Sequence, residues 1–195
     1  MLLVAGCASM GVQNPNGEAP RSVDPSKPSE VSGIGIESAE IIRVSAAMVR
    51  DILNTPKVKN AERPMNVVLM SVENDAPITF SKDIFLLKMR AELIKKQPSE
   101  KLKFLDRAML DKLKQERELK RTGEFTSSSD PNVQEFKGAD LFLTGKLSGI
   151  STATEKGNKN YVLFTFRLTD ARTTEVIWEG SEEMAKEGQH DSVHR

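Results

Sequence analysis

Ala139-Asp140-Leu141-Phe142-Leu143-Thr144-Gly145-Lys146-Leu147-Ser148-Gly149-Ile150 alternates along its length. Leu141, Leu143 and Leu147 share one side, and Asp140, Thr144, Lys146 and Ser148 largely occupy the other. A period of two is the mark of a strand with one buried face. Beyond Lys156-Gly157-Asn158-Lys159 the pattern returns from Tyr161 to Thr169, with Val162, Phe164, Phe166 and Leu168 on one face. Gly-Asn between two alternating runs predicts a hairpin. Asp170 to Thr174 predicts a second turn, and Glu175 to Gly180 a third strand with Val176 and Trp178 sharing a face. The last third of the chain is therefore expected to be an antiparallel three-strand meander.

Upstream the period changes. Ile41, Val44, Met48, Ile52 and Ile42, Ala46, Val49, Leu53 form two adjacent rows at i, i+3/i+4 spacing, which predicts a helix over 37–54. Thr55-Pro56 ends it, because a residue before proline is pushed out of the helical region. Val67 to Met70 is a short continuous apolar run and reads as a central strand with layers above and below. Over 81–96, Ile84, Leu87, Ala91 and Ile94 recur at helical spacing, with Phe85 and Met89 widening the face. Lys101 to Leu105 alternates like a half-exposed strand, and 106–121 is charged and helix-favouring, with Ala108, Leu110, Leu113 and Leu119 as its apolar minority. Thr126 to Pro131 predicts a loop, followed by a short helix ending at Gly138. The order predicts an α/β fold in two or three layers: a mixed sheet of four to five strands flanked by helices, the early strands joined by helical crossovers and the late ones by hairpins.

Composition narrows the function. In 195 residues, 28 Lys and Arg balance 28 Asp and Glu for a formal net charge of +0. Nucleic-acid binders need a basic surface to displace counterions from phosphates, so none is expected as a partner. Mean hydropathy is -0.40, and no apolar run approaches the ~18 residues a membrane-spanning helix needs. The length suggests one domain with a tail.

The single cysteine, Cys7, excludes a disulfide framework and a Cys-rich metal site. Leu2-Leu3-Val4-Ala5-Gly6-Cys7 resembles the lipobox of bacterial lipoproteins, in which the thiol carries a diacylglyceryl group. The plainer alternative is a chance Cys near a terminus. A signal peptide needs a basic n-region and ~7 to 15 apolar residues. Here only Leu2 to Ala5 precede the box and the first basic residue is Arg21, so residues 1–7 are expected to be a truncated signal peptide with its lipobox. Residues 8–35 hold Pro15, Pro20, Pro25 and Pro28 and no aromatic, as a flexible linker would. The roughly 26 residues from 8 to about 33 span ~90 Å at full extension and ~30 Å when relaxed. Gly33-Ile34-Gly35 reads as a plain exit from it. The folded domain is expected over 36–187, with a disordered tail at 188–195.

Catalytic constellations are absent from the pattern. His190 and His194 both fall in the tail, so the core offers no histidine base for Ser-His or Cys-His chemistry. Gly138 to Lys146 fails as a phosphate loop because six residues separate its glycines and Leu147 stands where Ser or Thr belongs. No Gly-x-Gly-x-x-Gly follows the first strand. The expectation is no enzyme, no metal and no cofactor. Between Lys101 and Arg121 there are eight basic and four acidic side chains. This is either a solvated helix or a docking surface for an acidic partner, and the candidate partner-binding residues are Lys112, Lys114, Arg117, Lys120 and Arg121.

Gly138-Ala139-Asp140-Leu141-Phe142-Leu143-Thr144-Gly145-Lys146-Leu147, followed by Leu168-Thr169-Asp170-Ala171-Arg172-Thr173-Thr174-Glu175-Val176-Ile177-Trp178-Glu179-Gly180, resembles the LpoB-type penicillin-binding protein activators. More loosely, it resembles the wider group related to curli-secretion CsgG and the N-terminal domain of TolB. The resemblance follows element order over roughly 36 to 185. It implies an outer-membrane lipoprotein, held only by its lipid and facing the periplasm. Such a protein would bind and stimulate a bifunctional class A penicillin-binding protein through a monomeric domain. The alternative it leaves open is a CsgG-like structural or secretion-associated envelope lipoprotein. Trp178 is expected in the core, and Asp170 as a cap on its own turn. The family pattern usually carries Gly where this chain has Thr174, and a β-branched residue takes positive φ poorly, so a different turn geometry is expected there.

Overall fold

The computed structural model describes residues 21–28, 33–78, 81–97, 100–123 and 135–189. Its elements are α1 (Ser38–Asn54), α2 (Pro56–Lys59), β1 (Met65–Asp75), α3 (Ile84–Lys96), β2 (Leu102–Phe104), α4 (Leu110–Arg121), β3 (Leu141–Thr154), β4 (Gly157–Asp170) and β5 (Val176–Gly188). The strands form one mixed sheet in the order β2-β1-β3-β4-β5. β1 runs parallel to both β2 and β3, whereas β3, β4 and β5 form the expected antiparallel meander.

The alternation in the C-terminal third builds the core. Leu141, Leu143 and Leu147 on β3 and Val162, Phe164, Phe166 and Leu168 on β4 are all buried. Val44, Met48, Val49 and Ile52 of α1 and Phe85, Leu86, Met89 and Leu93 of α3 join them in one cluster. The Phe85 ring lies 5.1 Å from Phe164 and 6.0 Å from Phe166, centroid to centroid and tilted. Gly145 interrupts the leucines for a steric reason: a Cβ there would stand 2.7 Å from the Phe166 ring. On the opposite face the strands carry charge, with Lys146 of β3 2.6 Å from Asp75 of β1, and Arg167 of β4 paired with Glu179 of β5.

The β3–β4 register runs from Leu141↔Asp170 to Thr154↔Gly157. The reversing residues are therefore Glu155 and Lys156, and Gly157, expected in the turn, instead opens β4. Its φ is 150°, and a Cβ would meet the Gly188 carbonyl oxygen at 2.2 Å, so glycine is required by backbone packing.

Further expectations are corrected. The row Ile84, Leu87, Ala91, Ile94 was expected to face inward, but α3 buries Phe85, Leu86, Met89 and Leu93. Both rows are apolar, and the one carrying the Phe ring fills more of the space above the sheet. Val176 and Trp178 do not share a face. The β4–β5 register shifts between Leu168 and Thr169, so Ile177 and Trp178 both pack against the core while Val176 is exposed. In β1 a similar shift falls between Leu69 and Val72 and leaves Met70 exposed, so the run is not covered on both faces along its length. Asp83, just before α3, accepts the Val72 N–H at 3.1 Å beside that shift. Residues 135–138 are not helical, while the whole of the expected loop and the start of that short helix lie outside the described residues. Finally, Ile34 is 2% exposed and its carbonyl accepts a 3.0 Å hydrogen bond from the buried Asn160, so Gly33-Ile34-Gly35 is packed onto the sheet rather than a plain exit.

Thr174 holds a φ of 62°. The turn thus keeps the left-handed residue where a different geometry was expected, with a β-branched side chain in place of Gly. That conformation costs an L-residue ~1–2 kcal/mol, partly offset by the greater chain entropy of Gly in the unfolded state. Thr174→Gly is expected to stabilise the domain by about 0.5–1 kcal/mol in urea denaturation, and an equal or lower midpoint would refute the strain.

Candidate partner-binding surface

α4 presents the five candidate cations. It buries no residue: Leu110 and Leu113 lie at i, i+3, but Leu119 falls on another face, so no continuous apolar stripe forms. Lys114, Arg117 and Arg121, spaced i, i+3, i+7, share one line along the helix, whereas Lys112 and Lys120 flank Glu116 on another. The structure therefore brings three of the five together and divides the other two from them. Most are engaged locally: Lys114 with Asp111 at 3.8 Å, Lys120 with Glu116 at 3.3 Å, Arg121 with Glu118 at 3.7 Å. The Arg117 guanidinium lies 3.6 Å above the Phe136 ring centroid. Exposed pairs of this kind contribute ~0–1 kcal/mol and are screened by salt, so the helix remains available as a charged face.

The inward turn of Phe85 leaves a second surface that the sequence reading missed. Ile84, Leu87 and Ile94 are 39%, 50% and 56% exposed, and Ala91 lies exposed between them. A groove of about 360 Å³ runs beside this row, lined among others by Met70, Leu87, Arg90, Leu105 and Arg107. Gln97 holds α3 to β2 by a reciprocal pair of hydrogen bonds with Leu102, at 2.8 and 3.0 Å. The one signal in the sequence that could have found this face was the aromatic at position 85, which marks the bulkier row.

The two aspartates of the quoted motifs meet at one end of the sheet, where Leu141 pairs with Asp170. Asp140 Oδ2 accepts the Asn66 N–H at 2.8 Å, and its own N–H donates to the Asn66 carbonyl at 2.8 Å. Arg63 donates to Oδ1 at 3.0 Å. The Asn66 N–H and then Arg63 hold the Asp140 carboxyl below its ordinary value of 3.8. Asp170 Oδ1 accepts from the N–H groups of Arg172 and Thr173, so it caps its own turn, and Lys57 lies 3.1 Å from Oδ2. Those bonds, the Arg172 N–H foremost, bring its pKa to about 2. The Ala171 N–H donates to the Asp140 carbonyl at 2.9 Å and ties the two turns together. Both carboxylates are spent on backbone donors, which is structural work.

Among the described residues, no three His, Cys, Asp or Glu side chains converge as metal ligands, and no helix is long and apolar enough to cross a membrane. Cys7, His190 and His194 lie outside the described residues.

Residues 40–184 match the family model described as peptidoglycan-synthase activator LpoB. Among solved structures, the chain is similar to the LpoB C-terminal domain from Escherichia coli, at 14% identity over 74% of this chain and 98% of that one, TM-score 0.44. It is also similar to the corresponding domain from Salmonella enterica, at 13% identity over 74% and 94%, TM-score 0.41. A third similarity is to lipoprotein GNA1162 from Neisseria meningitidis, at 17% identity over 64% and 84%, TM-score 0.40. No curated protein matches the chain.

Proposed function

The chain belongs to the LpoB family of peptidoglycan-synthase activators, and from that premise we propose that it binds a bifunctional class A penicillin-binding protein and stimulates it from the periplasmic face of the outer membrane. The observation that carries this reading is the extent of the family match, residues 40–184, which takes in nearly all of α1 and all but the last residues of β5. In the arrangement proposed, a lipid on Cys7 is the anchor, residues 8–32 the tether, 33–188 the activator domain and 189–195 a tail. A single acyl chain holds a protein only marginally, so the diacylated Cys7 is what makes the anchoring stable.

Stimulation of this kind is linkage. A domain that binds the active conformation of the synthase better than the inactive one shifts its population, and a tenfold preference corresponds to about 1.4 kcal/mol of coupling. The cations of α4, Lys112, Lys114, Arg117, Lys120 and Arg121, are proposed to steer the encounter, since rim charges act chiefly on association rate and salt dependence.

The test is a binding and glycan-polymerisation assay with a purified class A synthase and the full chain. Binding with a raised polymerisation rate is expected, and reversing the charge at Lys114, Arg117 and Arg121 together should slow association about threefold to tenfold at low salt. Absence of both binding and stimulation would overturn the function, and unchanged association after charge reversal would remove α4 from it.

A further inference from the structure

We propose that the exposed row of α3, with the groove beside it, seats an acidic segment of the synthase that carries apolar anchors; this rests on the function proposed above. Ile84, Leu87, Ala91 and Ile94 lie at i, i+3, i+7, i+10, a line about 15 Å long at 1.5 Å per residue. That length suits three turns of a partner helix or four to five residues of an extended strand. Ten large apolar side chains are exposed among the described residues. Three are in this row, and a fourth, Met70, lines the adjoining groove. Clustering on that scale marks an interaction surface, whereas apolar residues scattered singly do not.

Charge identifies the occupant. Thirteen basic and seven acidic residues lie between Ser81 and Gly123, the segment that holds α3, β2 and α4. At the opposite edge of the sheet, residues 175–189 hold five acidic residues and one basic. The two edge strands, β2 and β5, thus lie in segments of opposite charge balance, and the apolar row belongs to the basic segment. Arg90 and Arg107 line the groove together with Asp83 and Asp106, whose carboxylates accept the Val72 and Ala108 N–H groups. Arg107 donates to the Lys137 carbonyl at 2.9 Å, which leaves its charge uncompensated by that bond. Lys88 and Lys96 flank Glu92 at 3.4 and 2.8 Å, so the one acidic residue within α3 is neutralised from both sides. An apolar row on a helix that carries four cations and one carboxylate favours a segment whose anchors fill the row while its carboxylates meet those cations. The groove also leads through residues 105–108 toward α4, so the anchoring row and the steering helix form one continuous surface.

The experiment measures affinity of the full 195-residue chain for a purified class A synthase, with Leu87→Glu, Ile94→Glu, Arg90→Glu and Arg90→Lys alongside. Leu87 and Ile94 are exposed, so their variants should keep the parent melting temperature, which is recorded for each. Leu87→Glu and Ile94→Glu are each expected to weaken binding at least about tenfold, chiefly by faster dissociation. Arg90→Glu should weaken it and flatten its salt dependence, and Arg90→Lys should restore most of the loss. If the parent chain binds and the two glutamate variants bind within about twofold of it, the docking surface is wrong while the function stands. If the parent binds no class A synthase, the function itself fails and the docking surface with it. If sedimentation shows the parent self-associating and Leu87→Glu monomeric, the occupant is a second copy of this chain and the proposal is overturned.

Discussion

Phe166→Ala is expected to destabilise the domain by about 3–5 kcal/mol, the range for truncating a buried Phe. Phe166 has 0% exposure. Its ring covers Gly145 on the neighbouring strand and stands 6.0 Å from Phe85 on α3, so it links β3, β4 and the helical layer at one point. Removing it opens a cavity next to a residue with no side chain to move in. Collapse of the site is therefore limited, and the cost should fall in the upper part of the range. For a domain near 150 residues, each kcal/mol lowers the melting temperature by roughly 2–4 °C, so a shift of about 10 °C is expected. Thermal and urea denaturation of the parent and variant would measure it. A loss below 1 kcal/mol would mean that the ring does not bridge the two layers.

Asp140→Ala should have the next largest effect, about 2 kcal/mol. The side chain is only 17% exposed and accepts from the Asn66 backbone and from Arg63. Without it the Asn66 N–H loses its partner inside the sheet, and leaving a buried donor unsatisfied costs about 1–3 kcal/mol. The same carboxylate makes stability depend on pH. Its folded pKa lies below the ordinary 3.8, so its contribution is complete above that value and drains away as pH falls through the lowered one. Asp170 behaves alike, with loss extending down to about pH 2. The parent should therefore lose stability steadily between about pH 5 and 2, and Asp140→Ala should lose less over that interval, having already forfeited its share. Melting curves at stepped pH would show this, and parallel profiles for parent and variant would refute it.

Much of the fold was legible because a strand with one wet face writes its register into the sequence. The alternation of Leu141, Leu143, Leu147 and of Val162, Phe164, Phe166, Leu168 required one buried face, and those residues are the core. Thr55-Pro56 marked the end of α1 for an equally local reason. Errors arose where two arrangements satisfied the same local rule. On α3 both rows are apolar, and only the fit of Phe85 against Phe164 and Phe166 chose between them. Near Trp178 a single extra residue reversed the face of Val176, and alternation alone carries no trace of a bulge. Ile34 looked like linker because its neighbours are glycines, yet the Asn160 amide more than a hundred residues away holds its carbonyl.

The candidate surface divides in the same way. The excess of cations on α4 can be counted along the chain, but that Lys114, Arg117 and Arg121 share a line while Lys112 and Lys120 do not depends on the helix being formed. The apolar row of α3 was visible as a pattern and misread as interior, because periodicity reports that a stripe exists and not which way it points.

The sequence by itself determined the α/β class, the meander, the balanced charge and the family motifs, all of which depend on composition or on contacts between near neighbours. Only the tertiary structure decided which stripe of α3 is left to solvent, where the strands slip register, and that β2 of the basic segment and β5 of the acidic one are the two edges of one sheet. Close packing is the reason: one set of side chains fills the space between helix and sheet at interior density, and that choice is made by the shapes of residues far apart in the chain.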